Sequence, residues 1–181
     1  MKFHHDIEEV LFSNEDITNK CQELGRIITE DYQDKNPVLV GLLKGCIPFM
    51  AELIKHIELY LELDFMDVSS YVGTESTGKL VFEKDLSTDI RNRHVLIVDD
   101  IIDTGLTLKE VCKLLHDRGA ASVEVVTLLD KPDGRKTNDV VPKYIGYTIP
   151  KKFVVGFGLD YNQLYRNLPY IGILKESVYN K

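Results

Sequence analysis

No stretch of this 181-residue chain reaches the ~18 consecutive apolar residues needed to cross a bilayer. The opening segment "MKFHHDIEEVLFS" lacks the long apolar run of a signal peptide, so a cytoplasmic protein without membrane partners is expected. Cysteine is scarce. Cys21, Cys46 and Cys112 are odd in number and show no CxxC or Cys/His ligand spacing, which predicts reduced thiols rather than disulfides or a zinc site. Basic charge is in deficit, with 22 Lys+Arg against 29 Asp+Glu and a net charge of -7. Nonspecific nucleic-acid binding runs on a basic surface and is disfavoured, although net charge leaves a local basic patch open. Internal repeats and low-complexity segments are absent. His4 and His5 read as a solvated pair rather than a metal site.

What remains is the composition of one compact soluble domain, 44% hydrophobic and 28% charged. "IEEVLFS" suits a short strand. Ser13-Asn14-Glu15-Asp16 supplies a helix start, and Ile17, Cys21, Leu24, Ile27 and Ile28 continue it at helical spacing to about Tyr32. "PVLVGLL" is a continuous apolar run that predicts a strand buried on both faces. "IPFMAELIKHI" then reads as a helix with Pro48 in its first turn. "LELDFMDVSS", "HVLIVDD" and "SVEVVTLLD" read as strands, and "LTLKEVCKLLHDRGA" as a helix ending near Gly119. The polar stretch "YVGTESTGKL" reads as a surface loop. Alternating strands and helices over residues 37–130 predict an α/β fold with a mainly parallel sheet. Beyond Lys131 the short segments "YIGYTI", "KFVVGFG" and "YIGIL" predict a small C-terminal subdomain.

Chemistry concentrates in "VLIVDDIIDTGLTL", residues 95–108. Asp99 and Asp100 fall at the end of a buried strand, Asp103 follows, and Thr104-Gly105-Leu106-Thr107 opens a helix. Parallel sheets bind ligands beyond the carboxyl ends of their strands. A loop entering a helix there aims backbone N–H groups at an anion, glycine permits close approach, and threonine hydroxyls add donors. Three carboxylates would repel a bare phosphate. They suit a ligand that also carries hydroxyls or a divalent cation, such as a sugar phosphate with Mg²⁺. The loop is not a GxxxxGK[ST] phosphate loop.

This stretch closely resembles the phosphoribosyl-pyrophosphate motif of type I phosphoribosyltransferases. "GLLKGCIPF", "SSYVGTESTG" and "KKFVVGFGLDYNQLYRNLPYIGIL" resemble, in the right order, the hypoxanthine-guanine phosphoribosyltransferases. The resemblance implies a mainly parallel twisted sheet flanked by helices, with a core of roughly residues 14–130 and a hood of roughly 1–12 plus 131–181. It implies Mg²⁺-dependent purine salvage, with hypoxanthine, guanine and phosphoribosyl pyrophosphate as ligands, in a homodimer or homotetramer.

Residue by residue, it gives Asp99 and Asp100 the ribose hydroxyls and Mg²⁺, and Asp103 proton handling at purine N7. Thr104, Gly105, Leu106 and Thr107 would cradle the 5′-phosphate, Leu106 being a variable position. Leu43-Lys44-Gly45 would face pyrophosphate, with a peptide before the lysine that can be cis. Ser70 and Tyr71 would open a catalytic lid. Lys131 would donate to the purine 6-oxo group, Phe153 would stack on the ring, and the Val154 and Leu159 backbones would surround the 2-position. Asp160 would bind a second Mg²⁺ on the pyrophosphate side and also count among the purine-binding residues, and Arg166 would meet pyrophosphate. Pattern alone would make Phe153 a core residue and Lys131 a solvated one, with Tyr161 and Tyr165 packing the subdomain. Two rival readings are a noncatalytic regulator on the same fold and a receiver-type signalling domain. The latter needs acids on two strands.

Overall fold

In a computed structural model that describes residues 2–70 and 80–180, two sheets organise the chain. The larger has six strands, and β2 (Val38–Leu42) lies inside it with every residue buried. Only a continuous apolar run satisfies a strand covered on both faces. β3 (Glu62–Ser70) and β5 (His94–Ile102) flank β2 in parallel, with Val38 opposite both Glu62 and Val95. β6 (Ser122–Asp130) and β7 (Tyr144–Thr148) extend the sheet in parallel beyond β5. β4 (Leu80–Lys84) closes the opposite edge, antiparallel to β3. The order is β4-β3-β2-β5-β6-β7.

Helices cover both faces. α1 (Asn14–Asp31) and α2 (Cys46–Leu53) pack Ile17, Ile28, Phe49 and Leu53 with Leu39, Leu96 and Val98. α3 (Leu106–Asp117) packs Leu108, Val111 and Leu115 with Val38, Val40, Val95 and Ile97 on the other face. Alternation along β5 therefore feeds both cores, and each such aliphatic contributes roughly 1.5–3 kcal/mol on burial. The expected start of α1 is a capping box. Asp16 N–H donates to Ser13 Oγ, and Ser13 N–H donates to the Asp16 carboxylate at 2.9 Å.

The smaller sheet is antiparallel, in the order β1-β9-β8. β1 (Ile7–Phe12) pairs with β9 (Ile171–Leu174), which pairs with β8 (Val154–Val155). Val155, Leu168 and Leu174 form its core, with Ile7, Tyr161 and Tyr165 packed against them. Among the described residues no helix is long and apolar enough to cross a membrane. Cys21, Cys46 and Cys112 are free thiols, as expected.

Four elements differ from the sequence expectation. "YIGYT" is β7 of the main sheet, so residues 144–148 belong to the core rather than to the hood expected from 131 onward. Tyr144 explains this: its ring is buried, and its hydroxyl donates to Asp31 on α1 at 2.7 Å. β5 does not end at Asp99 and Asp100 but runs to Ile102, because β6 pairs with it as far as Ile102 opposite Asp130. "KFVVGFG" yields only the two residues of β8, since Gly156, Phe157 and Gly158 take φ of 99°, 48° and 101° and turn the chain. β4, antiparallel to β3, had no counterpart in the periodicity reading.

Candidate active site

The strand order reverses at β2. The chain leaves β2 toward β3 and β4, then returns on the other side as β5. Such a switch opens a crevice beyond the carboxyl ends of the two strands, because their outgoing loops diverge. A cleft of about 260 Å³ lies there, lined by Leu43 and Gly45 after β2 and by Asp99, Asp100, Asp103, Thr104, Gly105 and Thr107 from β5 and its loop. Gly105 caps α3 with φ 76°, a left-handed conformation that favours glycine. The cleft thus meets the N-terminal end of α3, where the Leu106 N–H donates to Thr104 Oγ1 at 3.4 Å. Leu106 opens the helix and is exposed.

On the β2 side the Leu43–Lys44 peptide is cis, and Lys44 is exposed. A Cβ on Gly45 would overlap the Asp100 carboxylate, and one on Gly158 would overlap the Gly45 carbonyl oxygen. Glycine at both places lets three segments distant in sequence close on one point.

Charge is concentrated at the same point. Burial, and then the adjacent Asp100 charge, push the Asp99 carboxyl well above the usual carboxylate range. Burial raises Asp100 in the same direction, opposed by the Ile101 N–H that it accepts at 2.9 Å and by the Arg166 charge. Two crowded carboxylates are a donor set suited to a hard cation, which would relieve the repulsion. Among the described residues no three acid, His or Cys side chains gather as a complete metal cage. A cation here would therefore take its remaining oxygens from a ligand or from water.

A second cleft, of about 360 Å³, adjoins the first and shares Asp100, Ile101 and Asp103 with it. Its other walls are Lys131, Phe153, Val154, Leu159 and Asp160. The Lys131 ammonium lies 3.2 Å from the Asp103 carboxylate, and its side chain is largely buried. It is not the solvated lysine that pattern alone suggests. Phe153 is 37% exposed and so is not a core residue either. Val154 and Leu159 are buried.

Other expected residues fall less directly. Arg166 is engaged within the hood: it pairs with Asp160 at 2.7 Å and donates to the Gly158 carbonyl at 2.7 Å and to Gln163 at 3.1 Å. Asp160 also accepts the Gln163 N–H at 2.8 Å. Ser70 is the last residue of β3, and Tyr71 lies outside the described residues.

The periodicity reading missed the segment after β6 as a support. Lys136 N–H donates to the Thr104 carbonyl at 3.0 Å, and Arg135 pairs with Asp130. A Cβ on Gly134 would overlap the Asp103 carboxylate. One turn thus carries Lys131 and braces the loop between β5 and α3. The Pro-Asp-Gly within "KPDGRK" was its only visible signal, and it marks a turn without naming its neighbour.

Comparison with known proteins agrees with this geometry. The family model for the phosphoribosyl transferase domain matches residues 9–162. A hypoxanthine-guanine phosphoribosyltransferase of Staphylococcus epidermidis is 58% identical over 179 residues, 98% of this chain and 99% of the relative. One from Lactococcus lactis is 57% identical over 176 residues, covering 97% and 95%. The crystal structure of a hypoxanthine phosphoribosyltransferase from Staphylococcus aureus superposes with a TM-score of 0.96 at 55% identity, covering 100% of this chain and 98% of that one. On these likenesses the chain belongs to the hypoxanthine-guanine phosphoribosyltransferase family.

Proposed function

We propose that this enzyme transfers the 5-phosphoribosyl group of phosphoribosyl pyrophosphate to hypoxanthine or guanine, forming IMP or GMP and releasing pyrophosphate. The observation that carries the reading is the pair of adjoining clefts that share Asp100 and Asp103. One is built for a phosphorylated sugar and the other for a flat hydrogen-bonding ring. In the reaction the anomeric C1′–O bond to pyrophosphate breaks and a C1′–N bond to the purine forms. Positive charge grows at C1′ between the two clefts.

The residues divide this work. The N–H groups at the start of α3, with Thr104 and Thr107, hold the 5′-phosphate. Asp99 and Asp100 hold the ribose hydroxyls, and their carboxylates lie where an oxocarbenium-like centre gains most from negative charge. Leu43, Lys44 and Gly45 face the pyrophosphate, and Arg166 lends charge from the hood. Asp103 takes up the purine proton at N7. An ammonium has three donors, so Lys131 can keep its bond to Asp103 and still donate to a 6-oxo group. Adenine offers a donor at that position and is refused. Phe153 stacks on the ring, and Val154 and Leu159 present backbone groups to its 2-position. Ser70 and Tyr71 belong to a lid that excludes water. Mg²⁺ held by Asp99 and Asp100, and a second ion by Asp160, would neutralise the pyrophosphate and make it a better leaving group. By family likeness the enzyme is cytoplasmic and forms dimers or tetramers.

A steady-state assay with hypoxanthine, guanine, xanthine and adenine, with and without Mg²⁺, tests the reading. The expected result is turnover of the first two only with the metal present. Equal use of adenine, or full activity in a chelator, would overturn it.

A further inference from the structure

The Phe153 ring is itself stacked. α4 (Glu176–Tyr179) places Tyr179 against it with ring centroids 4.9 Å apart and planes 23° apart. Tyr161 meets Phe153 edge-on, at 5.6 Å and 87°, and meets Tyr179 at 6.4 Å and 64°. Three aromatic rings thus form a closed group, in the offset-stacked and edge-to-face arrangements that aromatic quadrupoles favour.

The backbone puts α4 there. Leu174 N–H, at the end of β9, donates to the Phe153 carbonyl at 2.9 Å, so the chain leaving β9 passes beside Phe153. The next residue, Lys175, anchors the turn through its N–H to the Asp6 carbonyl at 2.9 Å, and its ammonium donates to the His5 carbonyl. Phe153 needs such support. It stands before β8 rather than in it, and it is 37% exposed. A ring in that position turns freely unless something packs on it. Phe153 is a wall of the cleft, and Tyr179, stacked on it, is not.

We propose that Tyr179 is a positioning residue for the purine: it holds the Phe153 ring at the angle a stacked base requires. This makes α4 part of the purine site without contact to substrate. The proposal rests on the purine reading of that cleft, and the experiment separates the two.

The test compares Tyr179→Ala, Tyr179→Phe, Phe153→Ala and the Phe153→Ala/Tyr179→Ala double variant in steady-state kinetics. Tyr179→Ala is expected to raise KM for hypoxanthine about threefold to tenfold, the worth of one aromatic pair. Its kcat and its KM for phosphoribosyl pyrophosphate should hold. Tyr179→Phe keeps the ring and should behave as wild type. In the Phe153→Ala background, removing Tyr179 should add nothing. Should Tyr179→Ala melt below the assay temperature, Tyr179→Leu keeps the apolar bulk without the flat ring and takes its place with the same expectation. An unchanged KM for hypoxanthine in Tyr179→Ala, beside a raised one in Phe153→Ala, overturns the positioning role alone. A lowered KM also overturns it, because Tyr179 would then be occupying the purine's place. If Phe153→Ala leaves KM for hypoxanthine unchanged, the purine reading of the cleft fails and this inference fails with it.

Discussion

The two sides of the cleft are built in opposite ways. Most of the first side comes from one continuous stretch, residues 99–107, held at the end of a buried parallel strand. The second side is gathered from the residue after β6, the start of β8 and the turn that follows β8. It also depends on the small sheet, in which β1 pairs with β9 and residue 7 stands opposite residue 174. A contiguous loop needs only its own strand and helix to take shape. An assembled wall exists only when distant segments are closed together, so its residues carry no local mark of their shared task. Asp100 and Asp103 belong to both sides, and chemistry is assigned where the two meet.

That junction is where the largest loss is expected. Asp103→Asn should lower kcat about a hundredfold, the usual lower worth of a proton-transfer group. The fold should survive, since the side chain is 47% exposed. Phosphoribosyl pyrophosphate with Mg²⁺ should still raise Tm by selective binding to the native state. Wild-type turnover in this variant would remove Asp103 from the chemistry.

Gly45→Ala comes next and should separate the two sides. Its new Cβ overlaps the Asp100 carboxylate. Overpacking of that kind costs about 2 kcal/mol, so KM for phosphoribosyl pyrophosphate should rise roughly thirtyfold. KM for hypoxanthine measured at saturating phosphoribosyl pyrophosphate should move far less. Equal shifts would mean that the sides do not act separately.

Lys131→Ala is the converse. Losing a charged hydrogen bond of about 1.5 kcal/mol should weaken hypoxanthine and guanine about tenfold. Phosphoribosyl pyrophosphate binding, followed by calorimetry, should be nearly unaffected. Equal weakening of both ligands would count against a purine-facing lysine.

The smallest effect on the cleft is expected from Asp64, on β3, although stability should fall. Asp64 is buried and accepts N–H groups from Phe65, Ser87 and Thr88 at 2.7–2.8 Å and the Lys84 ammonium at 3.2 Å. Burial alone would raise its pKa, but these four donors win and hold it at about 2, against an ordinary 3.8. A carboxyl depressed in the folded state stabilises the fold above its unfolded pKa, and that contribution is lost as pH falls through 2. Asp64→Asn should therefore cost about 2 kcal/mol near neutrality. The gap from wild type, read by urea unfolding, should close between pH 4 and pH 2. A gap that persists at pH 2 would show that the cost comes from shape rather than charge.

Much of the main sheet was legible because periodicity reports burial. "VLVGL" and "HVLIV" have to be covered on both faces, and they are. The helix start at Ser13 was legible because its cause acts within a few residues. β7 was assigned to the wrong layer because "YIGYT" suits either sheet, and its pairing with β6 and the docking of Tyr144 on Asp31 are contacts between distant residues. Phe153 and Lys131 have the same composition whether core, solvated or ligand-facing. Family likeness named them, and the second cleft brought them together.

By itself, then, the sequence determined the alternation of strands and helices, the acid-rich loop and the start of α3. Each of these follows from forces between near neighbours. Tertiary structure alone decided that Gly134 lies against Asp103, that Gly45 and Gly158 close on each other, and that Tyr179 backs Phe153. Such contacts join residues tens to more than a hundred positions apart. Their energy appears only after the sheets have formed, and no local pattern in the chain encodes it.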